Sequence, residues 1–80
     1  MLTAYMQAAM QQARFEWLPH DKTYYGEIPV LPGVWATGTT VEATRDELQE
    51  VLEDWIVLGL TRNHVLPSID GLTLLVSSPS

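Results

Sequence analysis

Gly26-Glu27-Ile28-Pro29-Val30-Leu31-Pro32-Gly33-Val34-Trp35-Ala36-Thr37-Gly38-Thr39-Thr40-Val41-Glu42 is the stretch that decides how this chain folds. Two prolines and a glycine stand between two runs of β-forming residues. Pro29 has no N–H to give to a ladder, so the strand before it must end there. Pro32-Gly33 reads as a turn, with the proline pre-setting φ. Val34 to Thr37 reads as a short third strand. A stiff connection of this kind fixes the register between strands too short to fix it themselves. Gly38-Thr39-Thr40 then ends the strand and opens a helix. Thr39 with Glu42 fits a capping box, and Thr40 is an equally good single N-cap.

Upstream, residues 14–18 alternate, with Phe15 and Trp17 on one side and Arg14 and Glu16 on the other, as in a half-buried strand. Pro19-His20-Asp21-Lys22 has turn composition. Residues 23–28 form a second strand, in which Gly26 signals a bulge or a close backbone approach. Together these segments make a hairpin. Further upstream, Leu2, Tyr5, Met6, Ala9, Met10 and Ala13 recur at helical spacing and predict an amphipathic helix over 2–13.

Downstream, a long helix is expected over about 41–60. Its buried face is Val41, Leu48, Val51, Leu52, Trp55, Ile56 and Leu60, broadened by Val57 and Leu58. Arg62 and His64 lie near its C-terminal end, where positive charge is favoured. Residues 61–71 read as a loop with an Asp70-Gly71 turn, residues 72–76 as a last strand, and residues 77–80 as a frayed tail. The order is α-β-β-β-α-β, an α+β fold: N-terminal helix, three-stranded antiparallel sheet, long helix, final strand. Eighty residues suit one domain, here residues 1–76.

Ten acidic residues against four basic ones give a net charge of −6. Phosphate contacts need clustered Lys and Arg, and Arg14, Lys22, Arg45 and Arg62 are scattered. Direct nucleic-acid binding by this chain alone is therefore not expected, whereas a basic partner is. There is no cysteine, hence no disulfide framework and no thiolate metal site. The N-terminus lacks the basic start of a signal peptide, and no apolar run reaches the roughly 18 residues of a membrane span. A cytoplasmic protein without membrane attachment is expected. So small a core also favours a homo-oligomer.

No nucleophile setting is present: the serines lie in loops or the tail, outside any Gly-x-Ser-x-Gly context. His20 and His64 sit in different loops with no second ligand spaced to join either, so no metal or cofactor is expected. Glu16 and Glu27 lie on neighbouring strands, but a two-metal nuclease needs several carboxylates converging on one pocket. The expectation is a non-enzyme. The charge feature that stands out is on the long helix. Glu42, Asp46, Glu50 and Asp54 are each four apart and form one stripe, flanked by Glu47 and Glu53. Like charges at this spacing cost roughly 0.2–0.5 kcal/mol per pair. The stripe is either a solvated face or a docking face for a basic partner.

The frame from Tyr24 to Ala43 resembles the HicB-type antitoxin family. That family shows an aromatic strand, then Pro-x-Leu-Pro-Gly, a short strand, Gly-x-Thr and a Glu-rich helix. Pro29, Leu31, Pro32, Gly33, Gly38 and Thr40 occupy those positions. The resemblance covers about residues 14–60. It implies a partial ribonuclease-H-like fold lacking the catalytic carboxylates. It also implies an antitoxin that binds and neutralises a HicA-like toxin, a small basic mRNA ribonuclease with a catalytic histidine. Many members carry a C-terminal DNA-binding segment. This chain ends soon after its final strand and has an extra N-terminal helix, like a short-form subgroup. The expected contact residues are Glu42, Asp46, Glu50 and Asp54 on the helix, with Tyr24 and Trp35 on the strands. The alternatives are a divergent ribonuclease-H-like nuclease and an orphan self-associating regulatory module.

Overall fold

The structure is a computed structural model that describes residues 2–62, 66–69 and 71. Helix α1 (Leu2–Gln11) precedes strands β1 (Arg14–Leu18), β2 (Thr23–Glu27) and β3 (Trp35–Gly38), and helix α2 (Val41–Thr61) follows. The sheet is antiparallel, in the order β1-β2-β3. This is the expected α+β order as far as the long helix. The final strand over 72–76 and the tail over 77–80 lie outside the described residues, as do His64 and Asp70.

The opening stretch folds into two chained turns. The Leu31 N–H donates to the Ile28 carbonyl (2.9 Å) and the Val34 N–H to the Leu31 carbonyl (3.1 Å). Each turn has a proline at its second position, where φ near −65° is required. Gly33 takes the third position of the second turn with φ +95, the left-handed value of a type II turn. The two turns repeat every three residues and send Ile28, Leu31 and Val34 inward, all buried, while Val30, Pro32 and Gly33 stay outside. The proline clamp is thus also an anchor of the core. It delays β3 by one residue from the expected start, because the Val34 N–H belongs to the turn.

Gly26 makes no bulge: the β1–β2 register runs unbroken from Arg14↔Glu27 to Leu18↔Thr23. The glycine serves close approach instead. A Cβ there would lie 2.9 Å from the Phe15 ring and 3.0 Å from Thr44 Cγ2. At Gly38 a Cβ would lie 2.8 Å from both the backbone N and the Oγ1 of Thr44. The first turn of α2 therefore rests on two glycines of the sheet. Thr40 is the N-cap, its Oγ1 accepting from the Ala43 N–H at 3.0 Å, which decides between the single cap and the capping box. Thr44 is fully buried, and its hydroxyl donates to the Thr40 carbonyl at 2.7 Å, so burial leaves no polar group unpaired.

Leu48, Leu52 and Ile56 continue the buried stripe of α2. Two expectations for this helix are corrected. Val41 is exposed, because it is the first residue of the helix and precedes Thr44, where the sheet contact is made. Val57 and Leu58 are about half exposed and do not widen the buried face within the chain. Gly59 is buried there instead, with Leu66 folded over it; a Cβ at Gly59 would sit 2.7 Å from Leu66 Cδ2. α1 ends at Gln11, two residues short of the expected 13. Its Tyr5, Ala8, Ala9 and Met10 join the core, and the Tyr5 hydroxyl donates to the Pro67 carbonyl. One side chain thus ties the N-terminal helix to the returning C-terminal segment. Burial raises the Tyr5 pKa above the ordinary tyrosine value of 10.0.

Candidate functional site

Side-chain alternation gives the sheet two unlike faces. Phe15, Gly26 and Ala36 are cross-strand neighbours on the side that α2 covers. Trp17, Tyr24 and Gly38 share that side at the other end. There Trp17 and Tyr24 meet at 4.9 Å with ring planes inclined at 58°. The opposite side carries Arg14, Glu16, Tyr25, Glu27, Trp35 and Thr37. Among the described residues no element covers it.

This second, open face has its own structure. Tyr25 and Trp35 stack with centroids 6.0 Å apart and planes at 26°. The Tyr25 hydroxyl donates to Glu27 Oε1 at 3.2 Å. Desolvation raises the Tyr25 pKa, and the neighbouring Glu27 and Glu16 carboxylates raise it further. Two carboxylates thus lie near an aromatic pair whose outer member, Trp35, is 53% exposed. Glu16 and Glu27 do not confront each other: Glu16 pairs with Tyr25 and Glu27 with Trp35, so the carboxylates flank the rings.

The outer face of α2 is the second candidate surface. Glu42, Asp46, Glu50 and Asp54 are all exposed, and so are Glu47 and Glu53. Asp46, Glu50 and Glu53 line one shallow depression with Gln49. Arg45 lines the groove between α1 and α2, whose walls also include Met6, Met10 and Glu53. Among the described residues no three acidic or histidine side chains gather as metal ligands. No helix of the described residues is long and apolar enough to cross a membrane.

The six expected contact residues therefore fall into three places. The four carboxylates share the α2 stripe. Trp35 lies on the open sheet face. Tyr24 lies on the opposite side of the sheet from Trp35, since 24 pairs with 38, three residues along β3. Tyr25 is the member of the open face that composition alone does not single out. Counting back across the four-residue hairpin loop places it beside Glu16 and next to Trp35.

A family model described as UPF0150-like matches residues 4–67. UPF0150 protein ssl0259 of Synechocystis sp. is 40% identical over 48 residues, 60% of this chain and 66% of the relative. A UPF0150 protein of Thermotoga maritima is 44% identical over 41 residues, 51% of this chain and 55% of the relative. In both curated relatives the match thus spans less than two thirds of the length. The crystal structure of TTHA0281 from Thermus thermophilus superposes with a TM-score of 0.86 at 43% identity, covering 91% of this chain and 90% of that one.

Proposed function

The chain belongs to the UPF0150-like family, and from that premise we propose that it is a non-enzymatic antitoxin of HicB type that captures and masks a small basic HicA-like ribonuclease. The observation that carries this reading is the outer face of α2, where Glu42, Asp46, Glu50 and Asp54 stand in one exposed row. Lysines at the same spacing would relieve the mutual repulsion of such a row, and the sequence does not use them. An exposed row of one sign speeds encounter with a partner of the other sign. The tandem Pro-led turns at Ile28–Val34 support the resemblance to the HicB frame. The helix and three-stranded sheet are compatible with a partial ribonuclease-H-like fold. In this reading the chain works in the cytoplasm, has no cofactor and makes no nucleic-acid contact by itself.

Co-expression tests the proposal. The chain is produced together with the small basic protein encoded beside its own gene. A stable co-purified complex that relieves the partner's growth arrest is the expected result. A neighbouring product that is neither basic nor bound would overturn it.

Self-association has an observation of its own. Val57 and Leu58 present half-exposed apolar surface on adjacent positions of α2. A homo-oligomer through this patch is compatible with the antitoxin reading and also with an orphan regulatory module. Sedimentation of wild type against Leu58→Glu tests the patch: the variant turns monomeric if the patch is the interface, and an unchanged oligomer rules the patch out.

A further inference from the structure

We propose that the outer edge of β3 is a strand-docking site that takes an extended cationic segment of the partner protein. This deepens the antitoxin reading and rests on it.

The hydrogen-bond phase comes first. The Ile28 N–H donates to the Val34 carbonyl at 3.2 Å, so residues 28 and 34 are a bonded pair of the antiparallel ladder. Bonded and non-bonded pairs alternate. Gly26–Ala36 and Tyr24–Gly38 are then bonded as well, while Glu27–Trp35 and Tyr25–Thr37 are not. The backbone N–H and C=O of Trp35 and Thr37 therefore point away from β2. Among the described residues no strand lies beyond β3. Exposed edges are usually protected by charges, a proline or a bulge. From Gly33 to Thr39 this edge has none of the three.

The chemistry on either side of the edge identifies the occupant. A groove runs along the α2 side of β3, lined by Ala36, Val51 and Glu47 together with Gly33, Trp35 and Thr37. On the other side stand Trp35, stacked on Tyr25, and the carboxylate of Glu27. An added strand alternates in the same way as β3. Its residues opposite Trp35 and Thr37 fall on the open face, where a guanidinium stacks on Trp35 within reach of Glu27. The residue between them enters the groove, where an aliphatic side chain meets Ala36 and Val51. Main-chain bonds supply affinity and the alternating side chains supply selection, as in other strand-addition complexes. A second copy of this chain is disfavoured as occupant by charge: each copy carries −6 and would bring Glu47 against an acidic surface.

The test uses the full chain and a capped hexapeptide, Thr-Arg-Val-Lys-Val-Thr. Amide hydrogen exchange is read by NMR at Trp35 and Thr37. Both amides exchange freely in the free protein and gain protection when the peptide is in excess. A same-charge control with both valines replaced by proline gives no protection. A second control with Glu for Arg and Lys does not bind. Thr37→Pro leaves the β2–β3 ladder intact, because the Thr37 N–H faces outward. It weakens peptide binding roughly tenfold, the loss expected for one or two backbone hydrogen bonds. Equal binding of the proline control, or unchanged exchange at both amides of the wild type, overturns the proposal. So does protection already present in a wild-type dimer, which assigns the edge to a second copy. If the co-expressed partner is captured equally by wild type and Thr37→Pro, the edge proposal fails and the antitoxin reading stands. If no basic partner is captured by the wild type, the antitoxin reading fails.

Discussion

One face of this sheet is closed so tightly that two of its positions admit no Cβ, and the other lies open with an aromatic pair between carboxylates. On the closed side Gly26 and Gly38 bring the backbone against Thr44 of α2. On the open side Glu16, Tyr25, Glu27 and Trp35 use large or charged side chains at the alternating positions of the same strands. The strands are identical; only the phase differs. Packing explains Phe15, Gly26, Ala36 and Gly38 on the closed face, while Trp17 at its far end stays 45% exposed. It explains none on the open face, where Trp35 leaves half its surface in water. The proposed docking site makes use of that exposed ring.

The sharpest way to break this contrast is Gly38→Ala. The new Cβ meets the Thr44 backbone rather than a flexible side-chain tip, so α2 must shift as a body. A loss of about 2–3 kcal/mol is expected, the range of core overpacking. Urea unfolding measures it. A change within about 0.5 kcal/mol, the level of a neutral surface substitution, would show that α2 does not rest on the sheet as described.

The two raised tyrosines sharpen the contrast with a pH effect. Tyr5 is buried and donates to the Pro67 carbonyl. Its folded pKa lies above the unfolded value, so its contribution is complete below about pH 10 and is lost as pH rises through the folded pKa. Tyr5→Phe should cost about 1 kcal/mol at neutral pH, the net worth of one hydrogen bond. It should also flatten the decline of stability above pH 10, since no phenol remains to ionise there. Thermal unfolding between pH 7 and 11 checks both. An unchanged alkaline decline would remove Tyr5 as its source.

On the open face the same measurements should barely move. Tyr25→Phe deletes one hydrogen bond to Glu27, and Trp35→Ala deletes a half-exposed ring. Each should change stability by less than about 1 kcal/mol. Trp35→Ala should nonetheless weaken the cationic hexapeptide. A large loss of stability in either variant would mean that the open face is structural.

The connection is the most legible part of the sequence, because it is written in residue types with few physical uses. Proline before a turn, glycine at positive φ and threonine before a helix allow few alternatives. The Leu48, Leu52 and Ile56 stripe is read by spacing alone. Thr44 leaves no mark in apolar periodicity, because it is a polar residue whose hydroxyl is satisfied within its own helix. Val57 and Leu58 looked inward because the returning Leu66, which takes the Gly59 side, is not visible in the helix's own pattern. Tyr24 and Trp35 looked like one surface until the register put three residues of β3 between their positions. Face assignment needs the hairpin pairing as well as the composition of each strand.

The smallest expected effect on stability belongs to the acidic row of α2, and it has the opposite sign. Asp46 and Glu50 are exposed, four apart, and line a common depression. Replacing both with lysine puts opposite charges next to Glu42 and Asp54. The isolated chain should gain a few tenths of a kcal/mol, about what like-charge helix pairs cost. Its circular dichroism should stay unchanged. Capture of the co-purified basic partner should slow, because exposed charges of this kind act mainly on association rate. The slowing should be largest at low salt and fade as the screening length falls below about 10 Å near 0.1 M. Stopped-flow association against ionic strength separates the two surfaces. If the double variant associates at the wild-type rate in low salt, the row on α2 serves only solubility and recognition rests on the β3 edge and the open face. If association slows while dissociation is unchanged, the helix steers the partner and the sheet holds it.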